Sequence, residues 1–244
     1  MRVHFPLLGG YFRAGLGGVT VLTVQTEDMK TQLSERWNID RHKITVIPSA
    51  VDPFEGRTVA ARPPAGTGRV CCITSTAEHK NLAILPQVAA RLSKRAPRVR
   101  IALSQRQIDV PRLVTSARAL NCMDVFEFVG CLGSRGVEDL LLQSDVALIP
   151  SQLESFGFHY FEAMICGCPI VAADRGFARE ACEDAALYAD ARSADAVAAA
   201  ILTILEDAAL ARHLSHAGPA LIARRRGPWS LVGYDYATLL RGIA

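Results

Sequence analysis

Apolar runs of strand length alternate with stretches of helical period through most of this chain, and that alternation restricts its fold more than any other feature. The strand candidates are rich in Val and Ile, which is typical of strands covered on both faces. They span residues 19–24, 44–47, 70–74, 99–103, 125–129, 146–149 and 170–173. Helical spacing follows at 27–37, 81–94, 111–120, 136–142 and 155–166. The order predicts βαβ units around a parallel sheet, and therefore an α/β fold.

Two changes of pattern divide the chain. Residues 52–68 are rich in Pro and Gly and read as a linker before a new strand. From residue 193 only helices are expected, at 194–206, 208–223 and 229–240. We therefore predict three parts, which are an N-terminal segment 1–52, an α/β domain 53–226 and a C-terminal helix 227–244.

Composition argues against several classes of protein. Lys and Arg number 27 against 24 Asp and Glu, and a net charge of +3 does not favour a nucleic-acid partner. The most apolar stretch, 196–205, is about half of the ~20 residues that a membrane span needs. Pro6, Gly9 and Arg13 interrupt any signal-peptide core, so secretion is not expected. None of the seven Cys stands in a C-x-x-C spacing, which argues against a thiolate metal site.

The stretch 145–174 is the most informative for function. It predicts a buried strand, a short loop, an amphipathic helix and a second buried strand. Ligands of open α/β sheets bind beyond the carboxyl ends of the strands, where helix N-termini attract anions. We predict that Ser155, Phe156, Gly157 and Phe158 form such an N-terminus. Because Gly157 has no Cβ, a phosphate or sugar could approach its backbone closely.

Two carboxylates accompany this predicted N-terminus. Glu154 and Glu162 are eight residues apart, which corresponds to ~12 Å along a helix axis. That separation suits two hydroxyl groups at opposite ends of an extended ligand, such as the sugar and the ribose on either side of a diphosphate. The alternative is that Glu154 is a helix-entry acid and Glu162 a solvated surface residue. The spacing alone leaves both interpretations open.

The pattern P-S-x-x-E-S-F-G-F-x-x-x-E-A-M-x-x-G-x-P-I-V, at 150–171, resembles the E-x7-E region of family 4 retaining glycosyltransferases. These enzymes have the GT-B fold of two Rossmann domains. Further similarity lies in E-H-K-N at 78–81, in F-V-G at 128–130 and in the helical tail with Trp229. The resemblance covers residues 19–240 and implies that 53–226 is a Rossmann-like domain for a nucleotide sugar.

The resemblance also implies roles for individual residues. Glu162 would bind the ribose hydroxyls, and Glu154, the candidate catalytic residue, would contact the donor sugar. Lys80 would neutralise the diphosphate, although a Lys at such a position is alone most often a surface charge. The further donor-binding residues that it implies are Ser155, Phe156, Gly157, Phe158 and Gly130. No metal and no cofactor are expected, because basic residues and the helix end would supply the positive charge.

Three departures from the family pattern are visible. Thr74 and Ser75 stand where the family often has Gly-Arg, so one phosphate-binding cation is missing. Ser49-Ala50 replaces Asn-Gly, and Ser155 replaces a Gly. Only about 50 residues precede the donor-type domain, so 1–52 would be a remnant of an acceptor domain with its interdomain segment. A partner subunit or a homodimer would then supply the acceptor side.

The resemblance predicts transfer of a sugar from a nucleotide-diphosphate sugar to an unknown acceptor, with retention, in polysaccharide or glycolipid biosynthesis. The alternative is a catalytically silent nucleotide-sugar-binding or assembly module left by truncation. An oxidoreductase of Rossmann type is disfavoured because residues 75–80 contain no glycine. We expect a cytoplasmic protein whose contact with the inner face of the membrane, through Arg224–Arg226, is at most peripheral.

Overall fold

The computed structural model describes residues 10, 14–51, 66–225 and 227–243. By its internal contacts the chain divides into two compact units, one made of 1–50 with 227–244 and the other of 51–226. The strands are β1 Leu22–Val24, β2 Ile44–Val46, β3 Arg69–Cys72, β4 Arg100–Leu103, β5 Phe126–Phe128, β6 Val146–Ile149, β7 Ile170–Ala173 and β8 Ala186–Ala189. The helices are α1 Glu27–Trp37, α2 Leu85–Arg95, α3 Pro111–Ala119, α4 Ser134–Leu142, α5 Phe158–Ile165, α6 Gly176–Cys182, α7 Ala194–Glu206, α8 Ala208–Arg225 and α9 Trp229–Ile243.

The smaller unit contains a βαβ arrangement. Strands β1 and β2 pair in parallel, with Leu22 opposite Ile44, and α1 connects them. The side-chain oxygen of Thr26 accepts a hydrogen bond from the Met29 N–H at 3.2 Å and caps α1. Helix α1 ends at Asn38, whose φ of 53° is left-handed. Buried Val24 and Ile44 join the strands to the loop after the helix in a small apolar core.

The larger unit is a six-stranded parallel sheet with the strand order β5-β4-β3-β6-β7-β8. From β3 the chain proceeds to β4 and β5 on one side, and from β6 it proceeds to β7 and β8 on the other. The strand order therefore reverses between β3 and β6, which are neighbours paired at Val70–Val146 and Cys71–Ala147. Reversal of this kind leaves a crevice at the carboxyl ends of the two strands, where open α/β sheets bind ligands.

The sheet separates two hydrophobic clusters. One contains Cys72 with apolar residues of α2, α3 and α7, and the other contains Cys71 with apolar residues of α4, α5 and α6. Because successive side chains of a strand point to opposite faces, these two adjacent cysteines belong to opposite layers. Both are buried. The result is a three-layer arrangement of helices, sheet and helices.

The amino end of the sheet is fixed by a buried acid. The Asp145 carboxylate, just before β6, accepts hydrogen bonds from the N–H groups of Gly66, Thr67 and Gly68 at 2.5, 2.8 and 2.8 Å. The Thr67 hydroxyl donates a fourth, at 2.9 Å. Gly66 and Gly68 have φ values of 69° and 73°, which turn the backbone amides toward the acid at little steric cost.

The α/β prediction is confirmed, and so is the helical character of the chain after residue 193. The sequence reading missed β8 and α6. It also placed three helix starts wrongly, since α2 begins at Leu85 after two 3₁₀ turns, α4 at Ser134, and α5 at Phe158. Burial on both faces holds for β6 and β7 but not for β1, β2 and β5, whose residues are partly exposed. In the described part of the chain, no helix is long and apolar enough to cross a membrane.

Candidate functional site

The predicted site residues lie in the loops that follow β3 and β6. After β3 the chain enters a 3₁₀ turn, Glu78–Lys80, and a second one at Leu82–Ile84. After β6 it forms a loop through Glu154 to Gly157 before α5 begins. Because β3 and β6 are the neighbouring strands at which the order reverses, both loops lie at the crevice.

Lys80 and Glu154, 74 residues apart, form an ion pair. The Lys80 Nζ lies 2.6 Å from the Glu154 Oε1, and the two side chains are only 12% and 10% exposed. A charge-assisted hydrogen bond of this length is strong, and it offsets the cost of removing both charges from water. The structure thus joins two residues to which the sequence assigned separate roles. Each of them is held in place by the other at the crevice.

The start of α5 corrects one prediction. Ser155 and Phe156 belong to the loop and not to the helix, which begins at Phe158 because Gly157 takes a left-handed conformation with φ 77°. Glu154 is therefore not on the helix, and the ~12 Å axial separation expected between Glu154 and Glu162 does not apply. A Cβ at Gly157 would lie 2.6 Å from the Tyr160 ring, so the loop backbone packs directly on that ring.

Aromatic side chains anchor the same loop. Phe156 is buried and stacks on Phe161 with ring centroids 4.5 Å apart. Phe158 meets Phe156 edge-on at 5.1 Å but is 43% exposed. Ser155 is exposed. The loop backbone therefore has a fixed inner side and an accessible outer side, on which Ser155 and Phe158 lie.

Glu162 lies one helical turn after Phe158 and is partly buried. Burial raises the pKa of its carboxyl above the usual value. In the part of the chain that the structure describes, nothing donates a hydrogen bond to this carboxylate or forms an ion pair with it. A desolvated acid with unused acceptor oxygens is suited to receive hydroxyl groups from a ligand.

Two further polar groups lie in the first turn of α5. Burial and the charge of Lys80 lower the pKa of His159, against a smaller opposing effect of Glu154. The imidazole is therefore neutral at pH 7 and offers one donor and one acceptor. The Tyr160 hydroxyl is fully buried without a partner among the described atoms, and burial raises its pKa.

Gly130 follows β5, two strands away from β6 in the sheet. Its φ is 78°, and its N–H donates to the Gln105 carbonyl at 3.3 Å. The side chain of Gln105 in turn donates to the Thr74 carbonyl at 2.5 Å, which ties the ends of β4 and β3 together. Gly130 is thus connected to the β3 loop through Gln105, and a direct contact with Lys80 or Glu154 is not observed in the described residues.

Sequence reasoning missed the polar contacts that join these loops. The Asn81 side chain donates to the carbonyls of Pro150 and Ala191, and the Gln152 N–H donates to the His79 carbonyl. Arg175, after β7, donates to the side chain of Gln152. The partners are 23 to 110 residues apart, so no local spacing signals them. Among the described residues, no three His, Cys, Asp or Glu side chains form a group that could hold a metal, and independence from metal remains a prediction.

Comparison with known proteins places this geometry in context. Residues 61–220 match the family described as Glycosyl transferases group 1. The glycogen synthase of Mycobacterium tuberculosis is 25% identical over 191 residues, which are 78% of this chain and 46% of that protein. The D-inositol 3-phosphate glycosyltransferase of Nocardiopsis dassonvillei is 31% identical over 171 residues, covering 64% of this chain and 40% of that protein. The chain thus spans less than half the length of these two relatives.

A solved structure shares the fold. TarM of S. aureus, crystallised with fondaparinux, alpha-GlcNAc-glycerol and UDP, superposes with a TM-score of 0.79 at 17% identity. The match covers 94% of this chain and 45% of TarM. An α/β fold with a parallel sheet, matching GT-B structures, is therefore confirmed for the chain.

Proposed function

The chain belongs to the glycosyl transferases group 1 family, and from that premise we propose that its larger unit binds the nucleotide-diphosphate sugar of a glycosyltransferase. The loops at the ends of β3 and β6 would hold the donor, in the crevice that the reversal of strand order creates. The UDP in the TarM crystal and the sugar-transferring names of the two relatives support this substrate class.

The observation that carries the proposal is the Glu162 carboxylate. It is desolvated enough for its pKa to rise, and it has no partner in the described part of the chain. Leaving an acid in this state costs stability, which is typical of groups whose partner is a ligand. We assign to Glu162 the hydroxyl groups of the donor ribose, which would satisfy both of its oxygens.

The Lys80–Glu154 pair would meet the other end of the donor. Lys80, a compact cation, would turn part of its charge to the diphosphate, and Glu154 would accept a hydroxyl of the sugar being transferred. Ser155 and the backbone of Phe156, Gly157 and Phe158 would line the diphosphate beside the positive end of the α5 dipole. Gly130 would approach the donor from the β5 side. As the diphosphate leaves, these groups would stabilise its charge without a metal ion.

Retention at the anomeric carbon and an acceptor from polysaccharide or glycolipid biosynthesis complete the proposal. A glycosyltransferase gains much of its rate by holding donor and acceptor together away from water. The acceptor side would come from polypeptide outside the larger unit, such as a partner subunit or a second copy of this chain. We retain a cytoplasmic location with at most peripheral membrane contact as a prediction.

Calorimetry on the full chain tests donor binding. UDP-, GDP- and ADP-glucose are titrated into the wild type and into Glu162→Gln, with Glu206→Gln as the control because Glu206 is an exposed acid at the end of α7. We expect one of the three donors to bind, with about tenfold weaker binding in Glu162→Gln from the loss of a charged hydrogen bond. No binding to any donor, or equal affinity in both variants, would contradict the assignment.

Turnover separates an enzyme from a silent binding module. Release of free nucleotide from the bound donor is followed with and without candidate acceptors and with candidate partner subunits. Release that depends on an acceptor supports transfer. Binding without release under all of these conditions favours the module.

A further inference from the structure

We propose that Asn81 is a positioning residue that holds Lys80 and Glu154 at the separation a donor diphosphate requires. The inference rests on the proposed function and extends it to a residue that contacts neither the pair nor the ligand in the argument above. It depends on hydrogen bonds between loops, which are described in the next paragraphs.

Asn81 directly follows Lys80 and lies between the two 3₁₀ turns. Its φ and ψ of 59° and 35° are left-handed, a conformation that Asn tolerates better than most residues. This backbone conformation accompanies a side-chain amide that donates to the Pro150 carbonyl at 3.2 Å and to the Ala191 carbonyl at 2.8 Å. One side chain therefore links the loops after β3, β6 and β8.

These bonds replace sheet pairing where it has ended. The last paired residues of β3 and β6 are Cys71 and Ala147, so nothing in the ladder fixes the distance between the chains at Lys80 and Glu154. The Gln152 N–H, which donates to the His79 carbonyl at 2.7 Å, provides a second link across the same gap. His79 precedes Lys80 by one residue, and Gln152 precedes Glu154 by two. Both members of the ion pair are thus adjacent in sequence to a link.

The consequence concerns phosphate more than nucleoside. If the links hold the loops, Lys80 stays near the crevice when a phosphate draws it away from Glu154. Without the links, ordering the loops would reduce the gain from each new phosphate contact. Weakening of the second phosphate contact, with the first little affected, is the signature of a positioning role. A general loss of folded protein would instead lower the bound stoichiometry for every nucleotide.

Two substitutions separate the amide from the backbone conformation. Asn81→Gly keeps the left-handed backbone but removes the donor. Asn81→Asp keeps a side chain of the same shape, but presents an acceptor to two carbonyl oxygens. The matched control is Asn121→Gly, because Asn121 is also left-handed, with φ 52°, is exposed, and makes no side-chain hydrogen bond between loops among the described residues.

Calorimetry of UDP and UMP on the full chain gives the first readout. We expect Asn81→Gly to weaken UDP about tenfold and UMP by less than about twofold, and Asn81→Asp to weaken UDP further. Asn121→Gly should match the wild type for both nucleotides. Equal loss for UDP and UMP, or Asn81→Asp binding as well as the wild type, would overturn the positioning role.

Amide hydrogen exchange of Gln152 gives a readout without nucleotide. We expect its exchange to become about tenfold faster in Asn81→Gly and to stay unchanged in Asn121→Gly. Unchanged exchange in Asn81→Gly would overturn the link itself. If the wild type binds no uridine, guanosine or adenosine diphosphate, the proposed function fails, and this measurement still decides whether Asn81 holds the loops.

Discussion

The two ends of strand β6 carry buried acids that are treated in opposite ways. At the amino end, the Asp145 carboxylate receives four hydrogen bonds from three consecutive residues of its own chain. Beyond the carboxyl end, Glu162 receives none from the described residues, and Glu154 has Lys80 as its partner. Asp145 has its hydrogen-bonding capacity filled by the fold, whereas Glu162 keeps its capacity for something else.

The difference teaches how an acid's role can be read from its partners. A structural acid is satisfied by backbone amides that cannot leave without local unfolding. An acid with unused acceptors lowers stability, and the fold tolerates that cost at a functional site. Stability and ligand affinity should therefore respond in opposite proportions to substitutions at the two ends of β6.

The largest expected effect is at the structural end. Asp145→Ala leaves three backbone N–H groups and a hydroxyl without their acceptor, and we expect the free energy of unfolding to fall by about 3–5 kcal/mol. Urea unfolding followed by circular dichroism measures it. Asp139→Ala, at an exposed position in α4, is the control. A loss below about 1 kcal/mol would end the contrast between the two acids.

The ion pair at the crevice should give the next largest effect. Lys80→Met or Glu154→Gln alone leaves a largely buried charge unpaired, and each should lower the free energy of unfolding by about 2–4 kcal/mol. The double variant should lose less than the sum of the two, and a double-mutant cycle measures the difference. Strict additivity would show that the two side chains do not depend on each other.

A smaller effect is expected from Gly157→Ala. The new Cβ combines a left-handed φ with a 2.6 Å approach to the Tyr160 ring, so we expect a loss of about 2 kcal/mol and a shifted loop. Gly133→Ala is the matched control, because a Cβ there meets nothing within 4 Å. Thermal unfolding measures both variants. Equal melting temperatures would mean that the loop is not packed against the ring.

The smallest effect has the opposite sign. Glu162→Gln should raise the free energy of unfolding at pH 7 by about 0.5–1 kcal/mol, because the unpaired carboxylate is no longer buried as an ion. The folded-state pKa of Glu162 is raised, so protonation favours the folded state and the wild type loses stability as pH rises through that pKa. The gap between variant and wild type should therefore close as pH falls from 7 toward about 4. Unfolding across that range, with Glu206→Gln as control, would refute this if the gap stayed constant.

The fold was largely predictable because the evidence for it is local. Val- and Ile-rich runs mark β6 and β7 with their bounds, and the helical period marks α1 and α7. Strand β8 was missed because its residues, Ala-Leu-Tyr-Ala, lack the β-branched side chains that mark a strand and pair only with β7 at the edge of the sheet. The start of α5 was misplaced because Gly157 ends the loop in a left-handed conformation that periodicity does not reveal.

The candidate site was predictable in location but not in connection. The acids and the glycine of the β6 loop were named from their pattern, and Lys80 from a second segment. That Lys80 pairs with Glu154, and that Asn81 joins three loops, depends on residues brought together by the strand order. Such contacts follow from topology, and one sequence carries no local signal for them.

The adjacent cysteines of β3 make each side of the sheet separately observable. Cys71 and Cys72 belong to opposite apolar layers and are both inaccessible, whereas Cys131 is exposed. A thiol reagent should therefore modify Cys131 first, as an internal reference for reactivity. The rates at Cys71 and Cys72 would then report how often each helical layer lifts from the sheet, with no foreign label introduced into the protein.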